Sequence, residues 1–246
     1  MWHQLKKSMA DTGRMTASVD CKNPSLVIVG HWNAAILNEP GWIAKNILGV
    51  PDGEEINLNA VVVGNQVSPT HVSAEKQIWL FDTFGLACTG ERLEVFSRDI
   101  EDRQPMYDAV IKLTELLPHT PTRAIGTNFN VQVTGDVSPI TPVFETEEVF
   151  DTFGKIMTQD RSDGIDIVND DLIELAGVGK LPAALNLTRK TDFKTAEMNF
   201  NYHLQLGGME SLAALVGADP IGHWRKHALR VLDDCYGINA LEYAYF

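Results

Sequence analysis

Asn128, Asn130 and Gln132 alternate with Phe129, Val131 and Val133, and Asn199, Asn201, His203 and Gln205 alternate with Phe200, Tyr202 and Leu204. Change of character at every second residue marks a strand with one apolar and one polar face. The polar faces are unusual in kind. A solvated strand face more often carries charges or threonines, whereas these carry neutral amides and one imidazole. Such groups donate and accept hydrogen bonds without net charge. They suit a sugar, a peptide backbone, a nucleobase edge or the same face of a second copy. The plain alternative is a solvent face whose amides bond to one another across strands. These residues form the candidate binding set.

Other constellations are weaker. His223 and His227 stand four apart, with Arg230 and Asp234 continuing the row. A His pair at that spacing on a helix can chelate one metal ion, with Asp234 orienting a ligand. The opposite face carries Ile221, Trp224, Ala228, Val231, Leu232 and Cys235, so the histidines are expected on a solvated side. Trp224 also stands where a metalloprotease helix needs Glu. The expectation is no metal and no cofactor. Gly177–Lys180 lacks the spacer and the hydroxyl residue of a phosphate loop, and Gly85–Gly90 continues into Glu91 and Arg92. Val29-Gly30-His31 ends a strand with too few glycines for a dinucleotide turn. In the acidic stretch Asp160–Asp171, Gln159 falls where a calcium loop wants Asp. No GxSxG occurs. Cys21 has Asp20 beside it, and no basic environment that would lower its pKa is expected there. A scattered set built on His31, His119 or His203 with a distant acid is the remaining route to catalysis.

The elements that must position these residues follow from period and punctuation. Strands are expected at Ser25–Gly30, Ile56–Val63, Lys76–Asp82, Arg92–Phe96 and Ala124–Val133, with a bend at Gly85. Pro40-Gly41 opens a helix reaching about Leu48. Met106, Val110, Leu113 and Leu117 form the stripe of an amphipathic helix that Pro118 stops. Beyond a boundary at Gly135–Pro142 come a helix over Glu147–Met157 and short strands near Ile165–Val168 and Leu172–Ala176. A hairpin of Ala183–Arg189 with Ala196–Leu206 follows, then helices near Glu210–Val216 and Ile221–Cys235. No βαβ rhythm appears. The expected class is α+β, a mainly antiparallel sheet with amphipathic helices packed on one face.

Two short motifs recur. Phe-Asp-Thr-Phe-Gly stands at Phe81–Gly85 and again at Phe150–Gly154, and Asn-Phe-Asn at Asn128–Asn130 and Asn199–Asn201, at nearly equal offsets. One reading is two related halves, 23–136 and 137–246, behind a flexible tail over 1–22; coincidence is the other. The intervening stretches differ, since Met106–Leu117 is helical in pattern while its counterpart holds Gly177, Gly179 and Pro182.

The chain has 246 residues, enough to bury a core without disulfides. Its net charge of −13 argues against nucleic acid and anionic membranes as partners, because polyanions are repelled. Acid is concentrated in Glu145–Leu175. Cys21, Cys88 and Cys235 form no paired motif, no apolar run spans a bilayer, and no signal-type segment opens the chain, so a cytoplasmic setting is expected. Taken together, the residues point to a non-enzymatic binding or assembly protein. It is expected to act through its polar sheet faces, form a homo-oligomer, and take a protein or small polar ligand. The alternative is a hydrolase with its site between the halves.

Overall fold

The computed structural model describes residues 18–51, 59–63, 76–135, 156–157, 164–169, 174–175, 179–180, 183–191, 195–236 and 238. The strands are β1 (Ser18–Gly30), β2 (Asn59–Val63), β3 (Lys76–Leu80), β4 (Gly85–Cys88), β5 (Arg92–Phe96), β6 (Thr122–Thr134), β7 (Ile156–Met157), β8 (Gly164–Asn169), β9 (Glu174–Leu175), β10 (Gly179–Lys180), β11 (Ala183–Thr191) and β12 (Thr195–Gln205). The helices are α1 (Ala34–Leu37), α2 (Pro40–Asn46), α3 (Arg103–Leu116), α4 (Met209–Gly217) and α5 (Pro220–Tyr236). Ten strands form one sheet in the order β2-β3-β4-β5-β1-β6-β12-β11-β8-β7, and β9 pairs with β10 separately. The adjacent pairs in this sheet are antiparallel. The chain is therefore α+β.

One face of the sheet carries the core. Leu26, Ile28, Leu93, Val95, Phe129, Val131, Phe200 and Tyr202 are buried there, with Met106, Val110 and Leu113 of α3, Leu212 and Leu215 of α4, and Trp224, Ala228 and Leu232 of α5. The stripe of α3 does what its spacing predicts. Helix α2 opens at Pro40, whose missing N–H costs nothing at a helix start, and Glu39 Oε1 accepts from the Gly41 N–H at 3.4 Å. The central strands gain most from burial. Phe129 and Phe200 are register partners and stack at 5.7 Å, and Tyr202 lies flat on Trp224 at 4.5 Å.

Strand β1 begins at Ser18, so Ser18–Lys22 is strand and not the end of a tail. Cys21 is buried and pairs with Val131. The alternation is hidden in the sequence by a bulge at Asn23-Pro24, between the pairs Lys22↔Asn130 and Ser25↔Asn128. Asn23 has φ +53°, a left-handed conformation that Asn tolerates, and its N–H donates to Arg98 O at 3.2 Å. Three steps along a regular strand would flip the side chain; the bulge keeps Lys22 and Ser25 on one face. The expected tail before Ser18 lies outside the described residues.

Two other expectations change. Gly85 starts strand β4 instead of bending the chain. It pairs with Phe96, and a Cβ at Gly85 would fall on the Phe96 ring, so the glycine gives that ring its place over the strand. Ile156 and Met157, the end of the expected helix over Glu147–Met157, are strand β7; the earlier residues of that helix lie outside the described set, as does Phe150–Gly154. Between the paired motifs the first stretch holds helix α3 and the second holds β9, β10 and the start of β11. The two stretches do not share a conformation, which removes the duplication reading for that interval. Strand β6 of the proposed first half pairs along its length with β12 of the second, so the sheet runs unbroken across the expected boundary. Among the described residues no helix is long and apolar enough to cross a membrane.

Candidate functional site

Strands β6 and β12 lie side by side at the middle of the sheet and bring the sequence-derived set together. Asn130 faces Asn199 and Asn128 faces Asn201, with Gln132 opposite Glu197, His203 opposite Gly126 and Gln205 opposite Ala124. All point away from the helices, because their neighbours Phe129, Val131, Phe200, Tyr202 and Leu204 fill the core. Asn199 Nδ2 donates to Asn130 Oδ1 at 2.7 Å. Asn128 Nδ2 donates to Ser25 Oγ at 3.4 Å, and Lys22 Nζ reaches Gln132 Oε1 at the same distance. His203 and Gln205 approach at 3.5 Å along their own strand. Cross-strand amide bonding is thus present at one pair. Each amide has two donor hydrogens and two acceptor lone pairs, so most of that capacity still points out of the sheet.

Sequence reasoning missed the contribution of β1. Ser25 and Lys22 join this face through the bulge, and Lys22 forms an ion pair with Asp20 at 2.7 Å. In register, a row runs across strands through Gly85, Phe96, Ser25, Asn128, Asn201, Asn186 and Asp166. Nothing local in the sequence points to this row, since it crosses chain segments far apart.

The histidine row on α5 divides. His223 packs edge-on to Trp224 at 4.9 Å. His227 is not a solvated side chain: its Nδ1 lies 2.8 Å from the Tyr202 hydroxyl. Burial pulls its pKa down to about 4, helped by the nearby His223 and Arg230, so the ring is neutral at pH 7. Burial pushes the Tyr202 hydroxyl well above the usual phenol range. The Tyr202 hydroxyl also donates to Trp224 O at 3.5 Å, and which of the hydroxyl and Nδ1 donates to the other is set by the imidazole tautomer. Arg230 stays exposed, and the Asp234 side chain is outside the described set. Among the described residues no three His, Cys, Asp or Glu side chains gather as metal ligands.

Cys21 does have a basic neighbour, Arg225 of α5, but burial outweighs it and the thiol pKa is raised. Burial alone pushes Cys88 up to about 12. Both are protonated thiols near neutral pH. His31 and His119 are exposed, and the structure gives neither they nor His203 a carboxylate partner among the described residues.

The chain matches no protein-family model and no curated protein. Among solved structures, the regulatory subunit of aspartate kinase from Thermus thermophilus, ligand-free, is similar over 85% of this chain and 98% of that one, at 10% identity and a TM-score of 0.22. The aspartate kinase of Clostridium acetobutylicum is similar over 85% of this chain and 35% of its own, at 8% identity and a TM-score of 0.19. At such scores neither likeness establishes a shared fold.

Proposed function

We propose that this chain is a non-enzymatic assembly protein whose amide face, on β6 and β12, meets the same face of a second copy. The observation behind this reading is the in-register block of Asn128, Asn130, Asn199 and Asn201 on the side of the sheet away from the helices. Neutral amides cost far less to bury than charges, and a second set of amides satisfies both their donors and their acceptors. Two copies each carrying −13 repel one another. The asparagine block itself carries no charge and is where they can close, and a twofold dimer is the simplest closed product. A hydrolase site between the halves has less behind it, because none of His31, His119 and His203 is joined to a carboxylate among the described residues.

The test is the triple variant Asn199→Thr, Asn201→Thr, Gln205→Thr, followed by analytical ultracentrifugation. Thr keeps strand propensity, and Met198, Phe200, Tyr202 and Leu204 remain in the core, so the fold should hold. Association should weaken by about 0.5–1.5 kcal/mol for each lost amide bond. A wild-type chain that stays monomeric across the concentration series, or a folded variant with an unchanged mass distribution, sinks the assembly reading.

A further inference from the structure

The first Phe-Asp-Thr-Phe-Gly motif closes the turn between β3 and β4, with the Phe81 N–H donating to Phe84 O at 2.9 Å. It lines an open depression of about 150 Å³ together with the end of β5 and the start of α3. Three rings wall it. Phe81 and Phe84 meet at 5.0 Å, and Phe96 reaches the depression over Gly85, which has no Cβ to block it. A space of this volume takes one ring or a short alkyl chain. Most charges in this corner are already engaged. Asp82 has an interaction of its own. Asp99 Oδ1 accepts from the Glu101 N–H at 3.2 Å, and Glu101 Oε1 accepts from Arg225 at 2.8 Å. That leaves one guanidinium, Arg98, and one carboxylate, Asp102, both exposed and both lining the depression. Asp102 stands at the start of α3 without capping it. Among the described residues Arg98 and Asp102 form no ion pair, with each other or with any other side chain.

We propose that this depression binds a free α-amino acid with an apolar side chain, held as the zwitterion. The ammonium meets Asp102, the carboxylate meets Arg98, and the side chain lies against the three rings. One charge of each sign, not paired to each other, selects a ligand that carries both. A simple cation is repelled by Arg98, and a simple anion by Asp102 and by the overall charge of −13. A zwitterion has no net charge, so the field of the whole chain does not oppose it. Arg98 can take the carboxylate through two parallel N–H···O bonds, which fixes the orientation of the ligand. Both charged groups are exposed and the contact area is small, so binding is weak, in the millimolar range. The site stands apart from self-association, although Phe96 shares its cross-strand row with Ser25 and Asn128.

The experiment is an NMR titration of the full chain, following the ring signals of Phe81, Phe84 and Phe96. The probes are L-leucine, L-leucinamide and N-acetyl-L-leucine. They share one side chain; the first carries both charges, the second only the ammonium and the third only the carboxylate. Saturable shifts are expected with leucine. A unit charge about 6 Å away in water is worth roughly threefold in affinity, so each analogue, lacking one attraction, should bind at least about threefold more weakly. Charge variants carry the decisive pattern. Asp102→Asn should weaken leucine and leucinamide by about threefold without weakening N-acetyl-leucine. Arg98→Gln should weaken leucine and N-acetyl-leucine by about as much without weakening leucinamide. Both residues are exposed, which leaves the fold intact. Either analogue binding as tightly as leucine, leucine binding indifferent to either variant, or no saturation by any probe each overturns the proposal. The oligomer mass, measured on the same samples, separates that failure from failure of the assembly reading.

Discussion

His227 and Tyr202 meet where α5 crosses β12, and the burial of the imidazole there makes stability depend on pH. The unfolded imidazole takes a proton near its ordinary pKa of 6.5, whereas the folded one waits until about 4. Between those values the unfolded state binds more protons, so stability is full above about pH 6.5 and falls as pH drops toward 4. Below that both states are charged and the slope ends. The full shift corresponds to at most roughly 3 kcal/mol. His227→Asn keeps a side chain that can hydrogen-bond the Tyr202 hydroxyl but cannot titrate. Urea unfolding at about pH 6.5, 5.5 and 4.5 should show a flatter acid limb for the variant. What remains would include His223, whose pKa is lowered by burial and by Lys226 and Arg230. An identical slope in both proteins would show that His227 does not titrate as its surroundings dictate.

At the scale of elements, one carboxylate joins three helices. Asp219 sits between α4 and α5 with φ +52°. Arg103 of α3 grips it with two bonds of 2.8 Å, the Tyr107 hydroxyl donates at 2.8 Å, and the Gly222 N–H donates at 3.1 Å. Tyr107 in turn accepts from the Ile221 N–H at 2.9 Å. Burial would raise the Asp219 pKa, but the bonds from Arg103, Tyr107 and Gly222 and the Arg103 charge outweigh it and hold it near 2. Its contribution is therefore complete above the ordinary carboxylate range and lost as pH falls toward 2. Asp219→Ala removes the acceptor and places a Cβ residue in a left-handed conformation without the local bonding that Asp supplies. It should cost about 2–4 kcal/mol in chemical denaturation. Asp219→Asn keeps that conformation accessible and part of the bonding, so it should cost less. The reverse ranking would contradict the view that Asp219 holds α3 to the α4–α5 corner.

For the molecule as a whole, strand β1 brings Ser18–Lys22 into the folded unit. Ser18–Lys22 pairs with Thr134–Asn130, and Cys21 and Val19 pack on the core. Three chains separate this from the expected tail: the full chain, one beginning at Ser18, and one beginning at Asn23. The loss should fall between the second and the third. Removing two core side chains and their strand pairing costs roughly 3 kcal/mol or more, about 6–12 °C in Tm at this size. Equal melting of the second and third chains would mean that Ser18–Lys22 adds nothing. The β6–β12 seam makes a companion statement. Because Phe129 packs on Phe200 across it, 23–136 and 137–246 made separately should each fail to give a cooperative transition.

Local period was enough for much of this protein. The alternation through Asn128–Gln132 and Asn199–Gln205 settled which side chains share a face, and the stripe of Met106, Val110 and Leu113 settled the inner side of α3. Both are properties of neighbouring residues, and side-chain direction follows backbone type. The sequence could not show that Ser18–Lys22 is strand, because Asn23 and Pro24 break the alternation and only pairing with β6 reveals a bulge. Nor could it show Gly85 as strand, since that depends on the Phe96 ring occupying the space a side chain would take. His227 looks solvent-facing on a helical wheel; Tyr202, which takes it out of water, comes from a strand in another part of the chain. The same holds for the row from Phe96 through Ser25 to Asn128 and Asn201. Side-chain direction is set within a few residues, but which strands become neighbours is set by burial of the whole core, and only the tertiary structure contains that choice.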